Sequence, residues 1–296
     1  MRRLTAPLTA LLLLAAGCAP ARTGTLGPAP AGASTSAGAT PTGASPQTHP
    51  TSPSPSRRPP SVSPTAPETN PSGSITVQLW FVRYGKLAPT RRTLPATLAT
   101  SRLALTELAG GPTRVEAATG LATLVPAGNQ VVHIAAGVAT LAPSAGFDAG
   151  DAAQVRLRRA QVVWTLTQFP TVRRVAFGPT DTAPTGRGDY ADLLPAIVVT
   201  APSIGDRVTS PVTVTGTADV FEATVSVRIL DAAGREIGTA FTTAACGSGC
   251  RGDYRVRVGY RLDRAGPGTI EVYEVSAQDG SRVNVVAVPV VMSATG

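Results

Sequence analysis

The sequence predicts an α+β module with its helices on one sheet face, followed by an all-β sandwich, both behind a disordered linker. Three observations point there. Between residues 74 and 190, β-branched and aromatic runs alternate with two stretches of helical periodicity. From residue 195 to 296, short runs of alternating apolar and polar residues recur between turn signals. Ahead of both, no aromatic residue occurs before Trp80.

Residues 1–17 read as an export signal. Arg2 and Arg3 precede an apolar stretch at 4–16, 13 residues interrupted by Pro7. That length suits a cleaved signal and is too short to span a bilayer. It ends in Leu14-Ala15-Ala16-Gly17-Cys18, which resembles the bacterial lipobox. The resemblance implies a signal peptide cut before Cys18 and a diacylglycerol, palmitate-type anchor on the Cys18 thiol. Each buried methylene contributes roughly 0.8 kcal/mol, so one chain holds weakly and the two or three of a lipoprotein hold stably. The expected location is the extracytoplasmic face of the cell membrane.

Residues 18–73 form the expected tether. After Cys18, its 55 residues include 13 Pro, 9 Ser, 9 Thr, 9 Ala and 6 Gly, with Leu26 and Val62 the only large aliphatics. Such a chain cannot bury enough apolar area to offset its conformational entropy, so disorder is expected. A flexible coil of this length spans roughly 40 Å, and full polyproline extension about 170 Å. The Ser/Thr-Pro mixture also resembles O-glycosylated stalks.

The formal charge of +8 is uneven. Residues 74–190 carry 12 basic and 6 acidic side chains, whereas residues 191–296 carry 9 and 11. The basic excess of the middle segment predicts a partner of opposite sign. Export argues against nucleic acid and for anionic lipid head groups or acidic wall polymer. Plain solvation of scattered arginines is the alternative.

In the middle segment, 74–82 (SITVQLWFV) reads as a strand. Apolar residues at 94, 98, 105 and 108 share one helical face, predicting a helix over 94–109 that Gly110-Gly111-Pro112 terminates. A short strand is expected at 120–125. Gln130–Ala135 and Val138–Ala142 flank Ala136-Gly137 as a hairpin. A second helix is expected over 151–169. Val155, Val162, Leu166 and Phe169 line one face, and Leu157, Ala160 and Trp164 line nearly the opposite one. Pro170 stops it, and 172–177 returns as a strand. The expected order is β-α-β-β-β-α-β. Trp164 and Phe169 read as core, and His133, alone in an apolar strand, as a structural histidine. Arg156, Arg158 and Arg159 start the second helix, where the macrodipole disfavours cations. That makes them candidate docking residues for an anionic surface, against the alternative of a solvated face.

Residues 180–192 read as the joint between the two modules. Seven strands are then expected at 197–200, 212–216, 223–230, Glu236–Thr243, 254–260, 268–277 and 284–291. Thr213-Val214-Thr215 and Arg255-Val256-Arg257-Val258 show the alternation of half-buried antiparallel strands. Seven short strands in about 100 residues suggest a sandwich of immunoglobulin type.

Two family resemblances follow. Leu108-Ala109-Gly110-Gly111-Pro112, Val125-Pro126-Ala127-Gly128 and Trp164-Thr165-Leu166-Thr167-Gln168-Phe169-Pro170, with Val172 and Val175, resemble the sporulation and spore germination domain called GerMN. The resemblance implies an extracytoplasmic α+β module, similar in outline to ring-building motifs of envelope assemblies, with no catalytic residues. Ser210-Pro211-Val212-Thr213-Val214-Thr215-Gly216-Thr217-Ala218, Val220-Phe221-Glu222-Ala223 and Ala277-Gln278-Asp279-Gly280-Ser281 are similar to the immunoglobulin-like domain of bacterial spore germination. That domain often follows GerMN, and it implies recognition or scaffolding.

Cys246 and Cys250, four apart in a Gly-rich loop, are expected to form a disulfide outside the membrane, holding a hairpin tip. So small a loop limits the gain to about 2 kcal/mol or less. A redox or zinc site is the sharper alternative, but no His accompanies the pair. Arg187-Gly188-Asp189 and Arg251-Gly252-Asp253 spell an adhesion tripeptide, which coincidence explains in a chain rich in Arg and Gly. No Gly-x-Ser-x-Gly elbow, His-Glu-x-x-His pair or phosphate loop is present. No catalytic residue, metal or cofactor is therefore expected.

The expected function is a membrane-anchored envelope lipoprotein that acts as a non-catalytic binding or scaffold module for envelope proteins or cell-wall polymer. One alternative, implied by the occurrence of GerMN in other lipoproteins, is a regulatory accessory of a membrane sensor kinase. Another is a wall hydrolase using a carboxylate such as Glu222, near Asp219.

Overall fold

In the computed structural model, which describes residues 73–178 and 183–295, the chain opens with an antiparallel ribbon. The signal, Cys18 and the tether through residue 72 lie outside the described residues. Strand β1 (Ser74–Arg83) pairs with β2 (Lys86–Pro95) in unbroken register from Ser74 opposite Pro95 to Arg83 opposite Lys86. Tyr84 and Gly85 turn the chain, both at positive φ (51° and 72°), as a two-residue hairpin whose twist matches its strands requires.

Strand β2 departs from expectation. Leu94 lies within it, opposite Ile75, and does not start a helix. Helix α1 is shorter, Thr100–Gly110, with Leu105 and Leu108 buried and Leu98 left 62% exposed ahead of it. Pro89, Pro95 and adjacent Arg91-Arg92 hide β2 in the sequence. A two-stranded ribbon leaves alternate amides outside the ladder, so proline is tolerated. Helix α2 (Arg114–Ala118) was also not expected, although Thr113 and Glu116 spell its capping box.

The strand expected at 120–125 is reduced to one bridge between Val82 and Ala122. Leu121 and Val125 are buried beneath it. The Leu124 amide donates to the Gln161 side chain (2.9 Å), so no ladder forms. Strands β3 (Gln130–Ala135) and β4 (Val138–Ala142) form the expected hairpin, with Ala136 and Gly137 at φ 50° and 82°. Strand β5 (Arg174–Phe177) pairs in parallel with β4. Between them lies α3 (Ala152–Leu166), whose N-cap Asp151 accepts from the Gln154 amide. The first half thus runs β-β-α-α-β-β-α-β, with α1 and α3 packed on β1 and on each other. His133 is a correction: on edge strand β3, where Val131 alone is buried, its ring is exposed and meets Thr140 Oγ1 at 3.4 Å.

Two polar networks hold this half. Gln161 and Thr165 of α3, with Gln168 in the turn after it, bond the backbone of β1. Gln168 accepts from the Gln78 amide (2.7 Å) and donates to its carbonyl (2.7 Å). Thr165 Oγ1 accepts from the Trp80 amide (3.1 Å), and Gln161 donates to the Trp80 carbonyl (3.0 Å). In the second network, Arg92 reaches from β2 to Glu107 (3.1 Å), Glu116 (2.9 Å) and the Gly111 carbonyl (2.8 Å). Thr90 Oγ1 and the Thr113 amide also donate to Glu116 (2.6 and 2.7 Å).

A 3₁₀ turn (Arg187–Leu193) leads to the second half. Here β6 (Ile197–Ala201), β8 (Val212–Ala218) and β11 (Gly252–Val258) form one sheet, in the order β11-β8-β6. The other follows the order β10-β9-β12-β13-β7. It is built from β7 (Arg207–Val208), β9 (Thr224–Leu230), β10 (Glu236–Thr243), β12 (Gly266–Val275) and β13 (Arg282–Met292). The seven expected strands are present, joined by short β7, which pairs in parallel with β13. Inward residues alternate along β8, β9 and β11 as the pleat demands. Gly216 is required by a close approach. A Cβ there would collide with the Val198 carbonyl and with the Tyr254 hydroxyl that donates to that carbonyl (3.2 Å).

Strand β6 joins the halves. Ile197 and Val199 enter the sandwich core, while Val198 between them packs into the α+β core. Ile204 touches both cores, and both fall within one compact unit.

Two outcomes are expected. Gln161→Met keeps the volume but strands the Trp80 carbonyl and the Leu124 amide. It should lower stability in urea unfolding by about 2–4 kcal/mol, and a loss under about 1 would contradict the network. Burial raises the Glu116 pKa, but hydrogen bonds from Thr90, Thr113 and Arg92 outweigh it and hold the group below its ordinary 4.5. The folded value lies below the unfolded one, so its stabilisation is complete above about pH 4.5 and lost as pH falls through the lowered value. Urea midpoints measured from pH 7 to pH 3 should fall less steeply for Glu116→Gln than for the wild type.

Candidate functional site

Most chemistry-bearing side chains singled out in the sequence are occupied inside the fold. Arg156 binds the Asp192 carboxylate with both terminal nitrogens (2.8 and 2.7 Å) and the Asp189 carbonyl (2.9 Å). The hydrogen bond to Asp192 raises the Arg156 pKa and holds Asp192 below the usual carboxylate range. Arg158 is only 8% exposed and donates to the carbonyls of Leu124 (2.7 Å), Ala149 (2.9 Å) and Phe147. Arg159 pairs with Asp148 (3.1 Å) and lies over the Phe177 ring. The docking reading therefore fails for Arg158, which is buried by the loop it ties down.

Cys246 and Cys250 form the expected disulfide, with Cα atoms 5.7 Å apart. It does not hold a hairpin tip, because β10 and β11 belong to different sheets. It closes the crossing between them, and that loop seats on residues 219–223. The Ser248 amide donates to the Val220 carbonyl (3.0 Å), the Gly249 amide to Asp219 (2.9 Å) and the Glu222 amide to Ser248 Oγ (3.1 Å). Asp219 is thus a loop cap. The arginines of both adhesion-like tripeptides are likewise engaged within the fold. Arg187 stacks on Trp164 (4.6 Å) and binds Thr167, and Asp189 caps the Gly186 amide. Arg251 gathers the carbonyls of Pro195, Ala196 and Thr217. Among the described residues, no group of three or more His, Cys, Asp or Glu is placed to hold a metal ion.

A cleft of about 740 Å³ lies between the β1–β2 turn and β13. Arg83, Tyr84, Lys86 and Leu87 line one side, and Val285 and Ala287 the other. Its lining holds no Asp or Glu. Tyr84 stands 89% exposed at the rim. Lys86 Nζ is held by the Asp192 carbonyl (2.8 Å). The Arg83 guanidinium has no hydrogen-bond or ion-pair partner among the described residues, and burial lowers its pKa. An inner pocket of about 30 Å³ shares Arg83 and Leu87 with the cleft and is also lined by Ser203. Nothing in the sequence marks Arg83, since its isolation depends on which residues the fold brings near it.

Residues 70–178 match the family described as sporulation and spore germination, and residues 196–281 match the immunoglobulin-like domain of bacterial spore germination. The two matches lie in tandem along the chain. Among solved structures it is similar to the tandem GerMN domains of the sporulation protein GerM from Bacillus subtilis. Identity there is 17% and the TM-score 0.33, covering 63% of this chain and 62% of that one. It also resembles the first GerMN domain of the same protein, at 22% identity and a TM-score of 0.31, covering 38% of this chain and 95% of that one. The chain thus spans about three-fifths of the tandem structure's length. No curated protein matches it. Neither family is described by a reaction.

The motif residues of the GerMN module are structural. Gly111 (φ 83°) closes α1 and offers its carbonyl to Arg92. Thr165 and Gln168 bond β1. In the immunoglobulin-like module, residues 219–223 seat the disulfide loop, and Asp279 accepts from the Ser281 amide and hydroxyl within the β12–β13 turn.

The three helix arginines should separate in urea unfolding. Arg158→Ala should cost about 2–4 kcal/mol because three loop carbonyls, the buried one of Phe147 among them, lose their donor. Arg156→Ala and Arg159→Ala should each cost less than about 1. Equal losses at all three would refute the distinction.

Proposed function

We propose that this chain is a lipid-anchored binding module of the cell envelope, held on the extracytoplasmic face by Cys18 and raised by the tether, with the cleft beside the β1–β2 turn as its contact surface. The observation that carries the reading is the order of parts: a lipobox-like Leu14–Cys18, a Pro/Ser/Thr/Ala-rich tether, then two germination modules in tandem. Among the described residues no helix is long and apolar enough to cross a membrane, so attachment at Cys18 is the membrane link this reading requires. The geometry agrees with binding more than with reaction, because Arg156, Arg158, Arg187 and Arg251 and the carboxylates of Asp189, Asp192 and Asp219 are engaged within the fold. The partner is an envelope protein or cell-wall polymer.

Cys18→Ser should abolish incorporation of labelled palmitate and move the protein from the membrane fraction to the soluble one. Crosslinking of intact cells through a photoreactive group at Tyr84 should yield a specific envelope adduct that the Cys18→Ser chain lacks. Unlabelled wild type in the soluble fraction, or no adduct, would defeat the reading.

A further inference from the structure

We propose that the cleft binds the free carboxylate of a short peptide, with Arg83 as its ion partner and the Ser203 hydroxyl as a second donor reached through the inner pocket. The proposal rests on the envelope-binding reading and supplies its ligand chemistry.

Two independent observations meet at this place. Arg83 lines both the outer cleft and the inner pocket, and its guanidinium lacks an acceptor among the described residues. A partly desolvated cation without a partner is unfavourable, and an incoming anion relieves it. Ser203 is 6% exposed, and its Oγ has no hydrogen-bond partner. Buried hydroxyls are normally paired, so this one marks an unfilled position. The inner pocket has room for one or two water-sized groups, which suits a carboxylate oxygen or a bridging water.

The surroundings decide the sign and the class of ligand. No acidic residue lines either space, and the Asp206 carboxylate beside Ser203 is engaged by the Ser203 amide (2.7 Å). Lys86 adds a second cation at the outer cleft, where its ammonium donates to the Asp192 carbonyl (2.8 Å). The remaining walls are small and apolar, with Leu87, Ala88, Val286, Ala287 and Pro195 shared by both spaces. They fit small aliphatic side chains. A phosphate polymer would leave most of its oxygens unpaired against them. The volume of about 740 Å³ lies in the range of sites for small organic ligands.

The test uses the full chain in detergent micelles and calorimetric titration with acetyl-Ala-Ala-Ala, its C-terminal amide, and inorganic phosphate. Saturable binding of the acid is expected, with the amide at least about 10-fold weaker. Arg83→Gln should weaken the acid about 10-fold and Ser203→Ala a few-fold. Neither substitution should lower the melting temperature, because neither polar group has a hydrogen-bond partner to lose among the described residues. Raising salt should weaken the acid and leave the amide unchanged. Equal binding of acid and amide, an Arg83→Gln chain that binds normally, or phosphate binding without peptide binding would overturn the proposal. If the acid fails to bind while the Tyr84 crosslink still forms, the peptide-carboxylate site falls and the envelope reading stands. Failure of both removes both.

Discussion

The free edge of β1 is the constraint on which the first module depends. One side of this strand is paired with β2, leaving the backbone groups of Gln78, Trp80 and Val82 pointing the other way. Among the described residues no third strand covers them. A helix does: Gln168 serves Gln78, Thr165 and Gln161 serve Trp80, and the Ala122 bridge serves Val82. The spacing explains why a helix can stand in for a strand. Residues 161 and 165 share one helical face about 6 Å apart along the axis, and Gln168 follows in the turn just past α3. Outward sites on a strand recur every about 6.8 Å, and long glutamine side chains take up the difference. The edge is thereby closed to other strands, and the apolar residues of α3 remain free for the core.

Alternation does for the whole chain what that helix face does for β1. Strand β6 sends Ile197 and Val199 one way and Val198 the other, so five residues join two cores without a separate interface layer. Arg251 reinforces the joint by gathering carbonyls just ahead of β6 and on neighbouring β8. A seam made this way fixes the β1–β2 turn beside β13, and the cleft follows from that placement.

What the sequence made legible follows from where the physics is local. The β3–β4 hairpin and the sandwich strands could be read because period-two alternation and turn residues lie within a few positions of each other. The capping box of α2 is equally local and was open to reading. Strand β2 was not, because its register is imposed by β1 and its own residues include Pro89 and adjacent Arg91-Arg92. His133 looked structural beside Val131, Val132 and Ile134. In an edge strand, however, apolar neighbours do not guarantee burial: Val132 is 60% exposed and Ile134 38%. The α3 arginines looked like a surface cluster, but loop carbonyls from residues 124, 147 and 149 arrive from elsewhere in the chain to claim Arg158.

That last point changes how the basic excess is understood. A net positive segment suggests an electrostatic surface, yet here Arg92, Arg156, Arg158 and Arg187 act as long donors that satisfy carboxylates, carbonyls and ring faces. A fold with few lysines and many turns has more stray carbonyls than its amides can meet, and the planar fork of arginine suits that role. Counting charge therefore overstates how much of it is offered to a partner. The informative cation is the one that the fold leaves unmatched at a concave surface, because a ligand then provides the counter-charge that the protein does not. Arg83 satisfies that condition through its position at the end of β1, opposite β13, and not through any local motif.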